Sequence, residues 1–396
     1  MTRLSLRQRL LMGVTLFSMF FGAGNLIFPP FTGYRAGSDA VPAFLGLIST
    51  AVLFPVLGII ATARAGGMDG LCRKVHPQFS KWFTLVIYLC IGPLLAIPRT
   101  ASMAFSMMSF ATAPAQSISL GPISAQQILA VVFSVVFFAA SRFFSQRPSH
   151  LKDILGKILT PILLLLVLVL FSAGMVLLPA ETGAPQPPYA GAPFAAGFVE
   201  GYNTMDALAA MVFGILISVN IQDFGLQEEK QLRRETGISG LLAGGVLILV
   251  YGMLAVLGAR ASAVLPEASD GSVVLSGLCS LFFGNVGAVL LAAIFLVACF
   301  NVCTGLLSSC ASYFSKEFPR LSFMAWLNVF TVSGCVISVF GLGFILQISV
   351  PILTLIYPVA LTIIVLNLFP FAFLEKAWVH RIAVIAAFAY SVISML

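Results

Sequence analysis

The sequence predicts an all-α polytopic membrane protein, and three observations predict it. Of 396 residues, 60% are hydrophobic and only 9% are charged, against roughly 25% charged in soluble domains. Apolar stretches of bilayer length recur about eleven times. Lysines and arginines gather in every second gap between them. The stretches lie near 10–33, 42–63, 82–111, 124–140, 154–178, 197–222, 237–259, 284–314, 322–340, 344–370 and 382–396, and are numbered here as spans 1 to 11. The gaps leave no room for a soluble domain, so 1–396 reads as one membrane domain.

The charges set the topology. Arg3, Arg7 and Arg9 precede span 1, and Arg64, Arg73, Lys74 and Lys81 lie between spans 2 and 3. Arg142, Arg147, Lys152 and Lys157 follow span 4, and Lys230, Arg233 and Arg234 follow span 6. Lys316 and Arg320 follow span 8, and Lys376 and Arg381 follow span 10; the alternate gaps hold only Arg35 and Arg260. By the positive-inside rule the N-terminus is cytoplasmic. The net charge of +7 is therefore topology, and it implies no nucleic-acid partner. The apolar run continues past Gly22-Ala23-Gly24 to Phe31, which argues against a cleaved signal peptide. Seven scattered cysteines show no zinc or disulfide spacing and read as packing residues. Ile382 to Leu396 supplies roughly 22 Å of helix against a core of about 30 Å. Either the helix begins near Val379, or the chain stops short of the natural C-terminus, which is the expectation here.

Within the spans, polar groups and helix breakers carry the information. Span 1 is interrupted by Phe21-Gly22-Ala23-Gly24-Asn25 and closes on Phe28-Pro29-Pro30. Each Gly costs about 1 kcal/mol against Ala in a helix interior. Backbone freed at membrane depth is tolerated where it lines a cavity and holds a solute or ion. That is a transporter signal. Span 3 carries Pro93, Pro98 and Arg99, and span 6 carries Asp206. Each ionisable residue would cost at least about 2.5–3.5 kcal/mol on a lone helix, so both face inward. Both lie in the outer halves of their spans, at depths that suit either a buried ion pair or a gate on the permeation path. Span 6 also has a soft centre, Gly201-Tyr202-Asn203-Thr204-Met205-Asp206-Ala207. Spans 1 and 6 each open a set of five and enter from opposite sides, as an inverted five-plus-five repeat with facing broken helices requires. The repeats would run over about 8–178 and 197–370, with an additional span at 378–396. Asn301, Thr304 and Ser308 share one face of span 8, either bonding to their own helix or offering oxygens to a hard cation. Pro351 and Pro358 predict kinks in span 10.

Three segments carry a resemblance. Phe20-Phe21-Gly22-Ala23-Gly24-Asn25-Leu26-Ile27-Phe28-Pro29-Pro30, Ile91-Gly92-Pro93-Leu94-Leu95-Ala96-Ile97-Pro98-Arg99-Thr100-Ala101 and Glu200-Gly201-Tyr202-Asn203-Thr204-Met205-Asp206-Ala207-Leu208-Ala209 resemble the branched-chain amino acid:cation symporter family. These are bacterial carriers of leucine, isoleucine and valine driven by sodium. The break in span 1 is also similar to that of the neurotransmitter:sodium symporters, which have the leucine-transporter fold. The resemblance implies that Asn25 binds a sodium beside the substrate and that the Ala23 and Gly24 amides meet the substrate carboxylate. It implies a Phe21 carbonyl ligand for a second sodium, with Asn203, Thr204 and Asp206 facing from span 6. Members usually have about twelve spans where this chain shows about eleven. Span 8 reads Cys299-Phe300-Asn301-Val302-Cys303-Thr304-Gly305 where adjacent hydroxyl residues are expected. Asn301, Thr304 and Ser308, with Thr204, are then the remaining sodium ligands, and the ion count stays open.

The function expected is sodium-coupled uptake of branched-chain amino acids by alternating access, in the bacterial cytoplasmic membrane. The partners are the amino acid, Na+ and lipid, with no organic cofactor and no obligate protein partner. Proton coupling through Asp206 is the alternative. An enzyme is disfavoured because His76, His150 and His380 fall in cytoplasmic segments and no paired acidic motif lies at depth. No G-x-x-x-x-G-K-[ST] loop is present for an ATP-driven pump. A channel would need repeated pore-lining rings.

Overall fold

Helix breaks decide this architecture, and one side chain makes the first of them. The computed structural model describes residues 4–111, 119–120, 123–146, 160–265, 267–369, 371 and 376–395. Ser5 caps helix α1 (Leu6–Phe20) in a reciprocal box with Gln8. Phe21 N–H still reaches the Phe17 carbonyl at 2.7 Å, and then Gly22 is extended (φ −117°, ψ −162°). Helix α2 (Ala23–Ala36) begins at once. Asn25 Oδ1 accepts the Gly22 N–H at 3.0 Å, so the side chain replaces a helical carbonyl and holds the break open. The break is thus at Phe21-Gly22, and Gly24-Asn25 already belong to the first turn of α2. Pro29 and Pro30 lie inside α2 and carry no N–H, which deprives the Asn25 and Leu26 carbonyls of their helical donors.

Spans 2 and 3 each contain a wide turn. Span 2 is α3 (Ala40–Ile48), a π turn at Ser49–Leu53 and α4 (Phe54–Ala65). A short helix α5 (Met68–Arg73) leads to α6 (Pro77–Leu89). Span 3 is then broken at Cys90–Leu94, where Gly92 leaves helical geometry (φ −94°, ψ −124°) beside Pro93, and resumes as α7 (Ala96–Ala111). Pro98 sits in the first turn of α7, where a missing N–H costs little.

Spans 4 and 5 are α8 (Ala125–Ser145) and α9 (Thr160–Leu177). Residues 154–159 of span 5 lie outside the described residues, as do Arg3, Arg147, Lys152 and Lys157. Span 6 is α10 (Pro193–Glu200), a 3-10 turn at Gly201–Thr204 and α11 (Asp206–Gln222), bent by 49°. Its joint is Met205, the one non-glycine residue with positive φ (+66°) among the described residues. Such a conformation costs of order 1–3 kcal/mol and persists only where its surroundings impose it.

The rest of the chain is α12 (Glu229–Ala261), α13 (Gly271–Phe283), α14 (Asn285–Glu317), α15 (Phe323–Ser338), α16 (Leu342–Leu368) and α17 (Ala377–Ile393). The sequence predicts only a gap between spans where α13 forms. Its start is set by Asp270, whose Oδ1 accepts the Ser272 and Val273 amides. Pro351 and Pro358 both fall inside α16. Among the described residues, seven helical runs are long and apolar enough to cross a bilayer, the bent pair makes an eighth, and α13, α15 and α17 are shorter apolar helices. Val136, Leu165, Val176 and Ile385 are exposed while Asn25, Asp206 and Asn301 are buried. Apolar residues outside and polar ones within is the arrangement of a chain dissolved in lipid. All seven cysteines are free thiols and six are buried, as packing residues should be.

An ion pair ties the N-terminal end of α1 to α12. Arg9 Nε and Nη2 grip the two Glu235 oxygens at 2.6 and 2.5 Å, with Glu235 only 1% exposed. Removing one partner of such a pair leaves a buried charge, at about 3–5 kcal/mol, whereas an apolar replacement of both is often neutral. Arg9→Ala should therefore lower the melting temperature more than the double change Arg9→Leu with Glu235→Leu. Thermal melts of the purified protein in detergent check the order.

Candidate functional site

The two broken helices meet around a single carboxylate. Asp206 is the first residue of α11 and is 2% exposed. Its Oδ2 accepts from Asn25 Nδ2 at 2.5 Å and from the Tyr251 hydroxyl at 2.9 Å. Asn25 Nδ2 also donates to the Tyr251 oxygen. The side chains come from α2, α11 and α12, so the second halves of spans 1 and 6 share one buried node with span 7. Because Asn25 Oδ1 takes the Gly22 amide, its nitrogen must face Asp206. The oxygen implied as a sodium ligand is thus partly used at the break, with a second lone pair remaining.

A second node lies across the same cavity. Arg99, on α7, is 6% exposed. Its Nη1 donates to the Asn203 carbonyl at 2.8 Å and its Nη2 to the Thr204 carbonyl at 3.5 Å. Among the described residues Arg99 and Asp206 share no salt bridge, so of the two arrangements their depths allow, the direct ion pair is not formed. The reason is the unwound linker: it bares carbonyls that take the guanidinium, while Asn25 and Tyr251 take the carboxylate. Tyr357 on α16 closes the linker from the far side, stacking on Tyr202 at 4.6 Å between ring centroids and accepting the Ala207 amide at 3.4 Å.

The cavity between these nodes is small, about 30 Å³, room for about one or two waters, so a larger solute needs its walls to part. Gly24, Asn25, Arg99, Thr204 and Asp206 supply its polar edge. Phe20, Ile91, Phe213, Val302 and Leu306 supply apolar wall. Ala23 is the first residue of α2, with its amide at the same break. The other expected residues stand apart. The Phe21 ring packs between Phe17 and Tyr251. Asn203 contributes its carbonyl to Arg99.

The span 8 stripe divides. Thr304 Oγ1 donates to the carbonyls of its own helix, Phe300 at 3.0 Å and Asn301 at 2.9 Å. Asn301 Nδ2 donates to Ser18 Oγ at 2.9 Å, but its buried Oδ1 has no partner, and neither has Ser308 Oγ. Seven residues of helix separate Asn301 from Ser308 by about 10 Å. A hard cation such as calcium holds its oxygens at only about 2.3–2.6 Å. One ion therefore cannot use both, and the face is not a single site. Asn301 Oδ1, against α1 one turn before the break, is the better-placed donor.

Tyr251 and Tyr357 were not anticipated. Their signal was a hydroxyl in mid-span, which in lipid must find a partner.

A broken-helix membrane transporter is what this fold and cavity define. Its architecture matches that of two solved transporters across almost the whole chain. One is MhsT, crystallised with L-phenylalanine (TM-score 0.66, 16% identity, 97% of this chain and 98% of that one). The other is Mhp1, a nucleobase-cation-symport-1 family transporter with bromovinylhydantoin bound (TM-score 0.65, 13% identity, 98% and 91%). Residues 5–396 match the branched-chain amino acid transport protein family, and the chain belongs to it. It is 36% identical to the branched-chain amino acid permease BraB of Bacillus subtilis over 98% of its own length and 86% of that relative. It is 35% identical to the branched-chain amino acid transport system 2 carrier protein of Pseudomonas aeruginosa, over 96% and 83%.

Proposed function

We propose that this chain takes up leucine, isoleucine and valine by sodium-coupled symport through alternating access, in a bacterial cytoplasmic membrane with its N-terminus inside. One observation carries the reading: a carboxylate, an amide and a phenol are buried together at the junction of two broken helices, beside a cavity whose remaining wall is apolar. Asp206 offers a partner for the substrate ammonium. The apolar wall suits an aliphatic side chain, as the names of the bacterial relatives lead one to expect. Sodium is the second substrate. It needs oxygen donors, and the unpartnered Asn301 Oδ1, with Ser18 beside it, supplies a place to begin; Asn25 Oδ1 and Thr204 supply another near the cavity. The domain carries out transport without a cofactor and without an enzymatic step. Loading both substrates lets the halves of spans 1 and 6 close, and the inner end of α1 moves away from α12 to release them.

A second reading rests on Asp206 itself. It is buried without a cationic side chain in salt-bridge contact among the described residues, which suits a group that carries a proton. Leucine uptake into proteoliposomes separates the two. An inward sodium gradient alone should drive accumulation, and a proton gradient alone should not. Accumulation under protons only moves coupling to Asp206. Accumulation under neither gradient contradicts both readings.

A further inference from the structure

We infer that Arg99 is the counter-ion for the substrate carboxylate and so decides that the carrier accepts amino acids rather than amines; this rests on the amino acid reading above. The guanidinium has unused capacity. Arginine has five N–H donors, and the linker carbonyls of Asn203 and Thr204 take two. Three donors remain on a group that lines the cavity and is 6% exposed. Among the described residues no carboxylate forms a salt bridge with it. A buried cation without an anion is costly.

The position of Arg99 adds a second positive element. A Cβ built on Gly24 would lie 3.3 Å from Arg99 Nη2. The guanidinium therefore reaches over the first turn of α2, where the amides of Ala23 and Gly24 have no helical acceptor behind them. The N-terminus of a helix is itself an anion site. Here it and a buried arginine converge on one glycine, and an anion would satisfy both. The carboxylate of Asp206 is engaged elsewhere, by Asn25 and Tyr251. The place is thus left for an anion that arrives with the substrate.

The same geometry gives the substrate a direction. Its carboxylate lies between Arg99 and Gly24, its ammonium turns toward Asp206, and its side chain takes the apolar wall at Ile91, Phe213 and Val302. Arg99 is bound to the span 6 linker through two carbonyls, so the carboxylate would also draw span 1 toward span 6 through it. A lysine would keep the charge but present a point where the arginine presents a fork.

The test is competition for radiolabelled leucine on purified protein, with leucine, leucinamide and isopentylamine as competitors. The wild type should prefer leucine to leucinamide by at least about tenfold, the value of one hydrogen bond to a charged group. Arg99→Gln should lose leucine affinity by that factor or more while leucinamide changes little, so the preference collapses. Arg99→Lys should fall between them; it keeps the charge near the linker and serves as the folded comparison if Arg99→Gln does not survive purification. A merely structural Arg99 would lower leucine and leucinamide equally, and that result overturns the proposal. So does wild-type binding that fails to distinguish the two, which would leave branched-chain recognition standing. Wild-type binding of neither overturns both.

Discussion

Asp206→Ala should reduce leucine affinity by at least about tenfold and abolish accumulation. The carboxylate accepts from Asn25 Nδ2 and Tyr251 Oη; without it Asn25 keeps the Tyr251 oxygen, but the Tyr251 hydroxyl is left buried without an acceptor, at about 1–3 kcal/mol of stability. The affinity falls because the substrate ammonium loses a charged hydrogen-bond partner worth about 1.5–3 kcal/mol, and tenfold corresponds to about 1.4 kcal/mol. The loss falls on the ends of both broken helices and on span 7 at once. Asp206→Asn behaves differently: it keeps an oxygen for Asn25 and Tyr251 but has no proton to carry. Sodium-driven uptake should persist at a reduced rate in Asp206→Asn. Uptake assays of the two variants in proteoliposomes, under each gradient separately, make the comparison.

The second large effect is on folding. A Cβ on Gly258 would lie 1.9 Å from the Pro30 carbonyl oxygen, and one on Gly33 would lie 2.0 Å from the Ala255 carbonyl oxygen. α2 and α12 therefore touch backbone to backbone at both places. In lipid, helix association depends on this close packing of small residues rather than on a hydrophobic drive. Gly258→Leu has no flexible side chain to push aside. It must part the two helices, and α2 loses the surface that holds it beside Tyr251. The expected result is little or no monodisperse protein on size exclusion. Gly245→Leu on the same helix is the control, because nothing lies within 4 Å of its Cβ position and the site faces outward. It should purify like the wild type.

The sequence made the helices and their breaks legible because those depend on local chemistry. Gly22 and Asn25 marked the first break, and Gly201-Tyr202-Asn203-Thr204 marked the second. Pro93 marked the break in span 3 as well, though Gly92 beside it does the unwinding. Depth along a helix could be counted from the sequence, but rotation about its axis could not. Arg99 and Asp206 fall at compatible levels, which leaves a buried pair and a gate equally open, and no salt bridge joins them among the described residues. What decided their partners was backbone: an unwound linker bares carbonyls that no count of charges includes. The stripe of span 8 leaves two readings open from the sequence, and only the contacts distinguish its members: Thr304 bonds to its own helix, while Asn301 and Ser308 keep unpartnered oxygens. Tyr251 was missed because an aromatic residue in an apolar span looks like packing until its hydroxyl is given a partner. α13 was missed because thirteen residues are too few to stand out beside a full span.

The central claim is that the junction of the two broken helices binds the amino acid and that sodium strengthens that binding. Equilibrium binding of radiolabelled leucine to the purified protein, in sodium and in choline at one pH, tests it most directly when run beside Asn25→Ala. Sodium should raise leucine affinity severalfold in the wild type, and Asn25→Ala should lose both the binding and its sodium dependence. Equal affinity in sodium and choline, with Asn25→Ala binding leucine as the wild type does, would contradict the account.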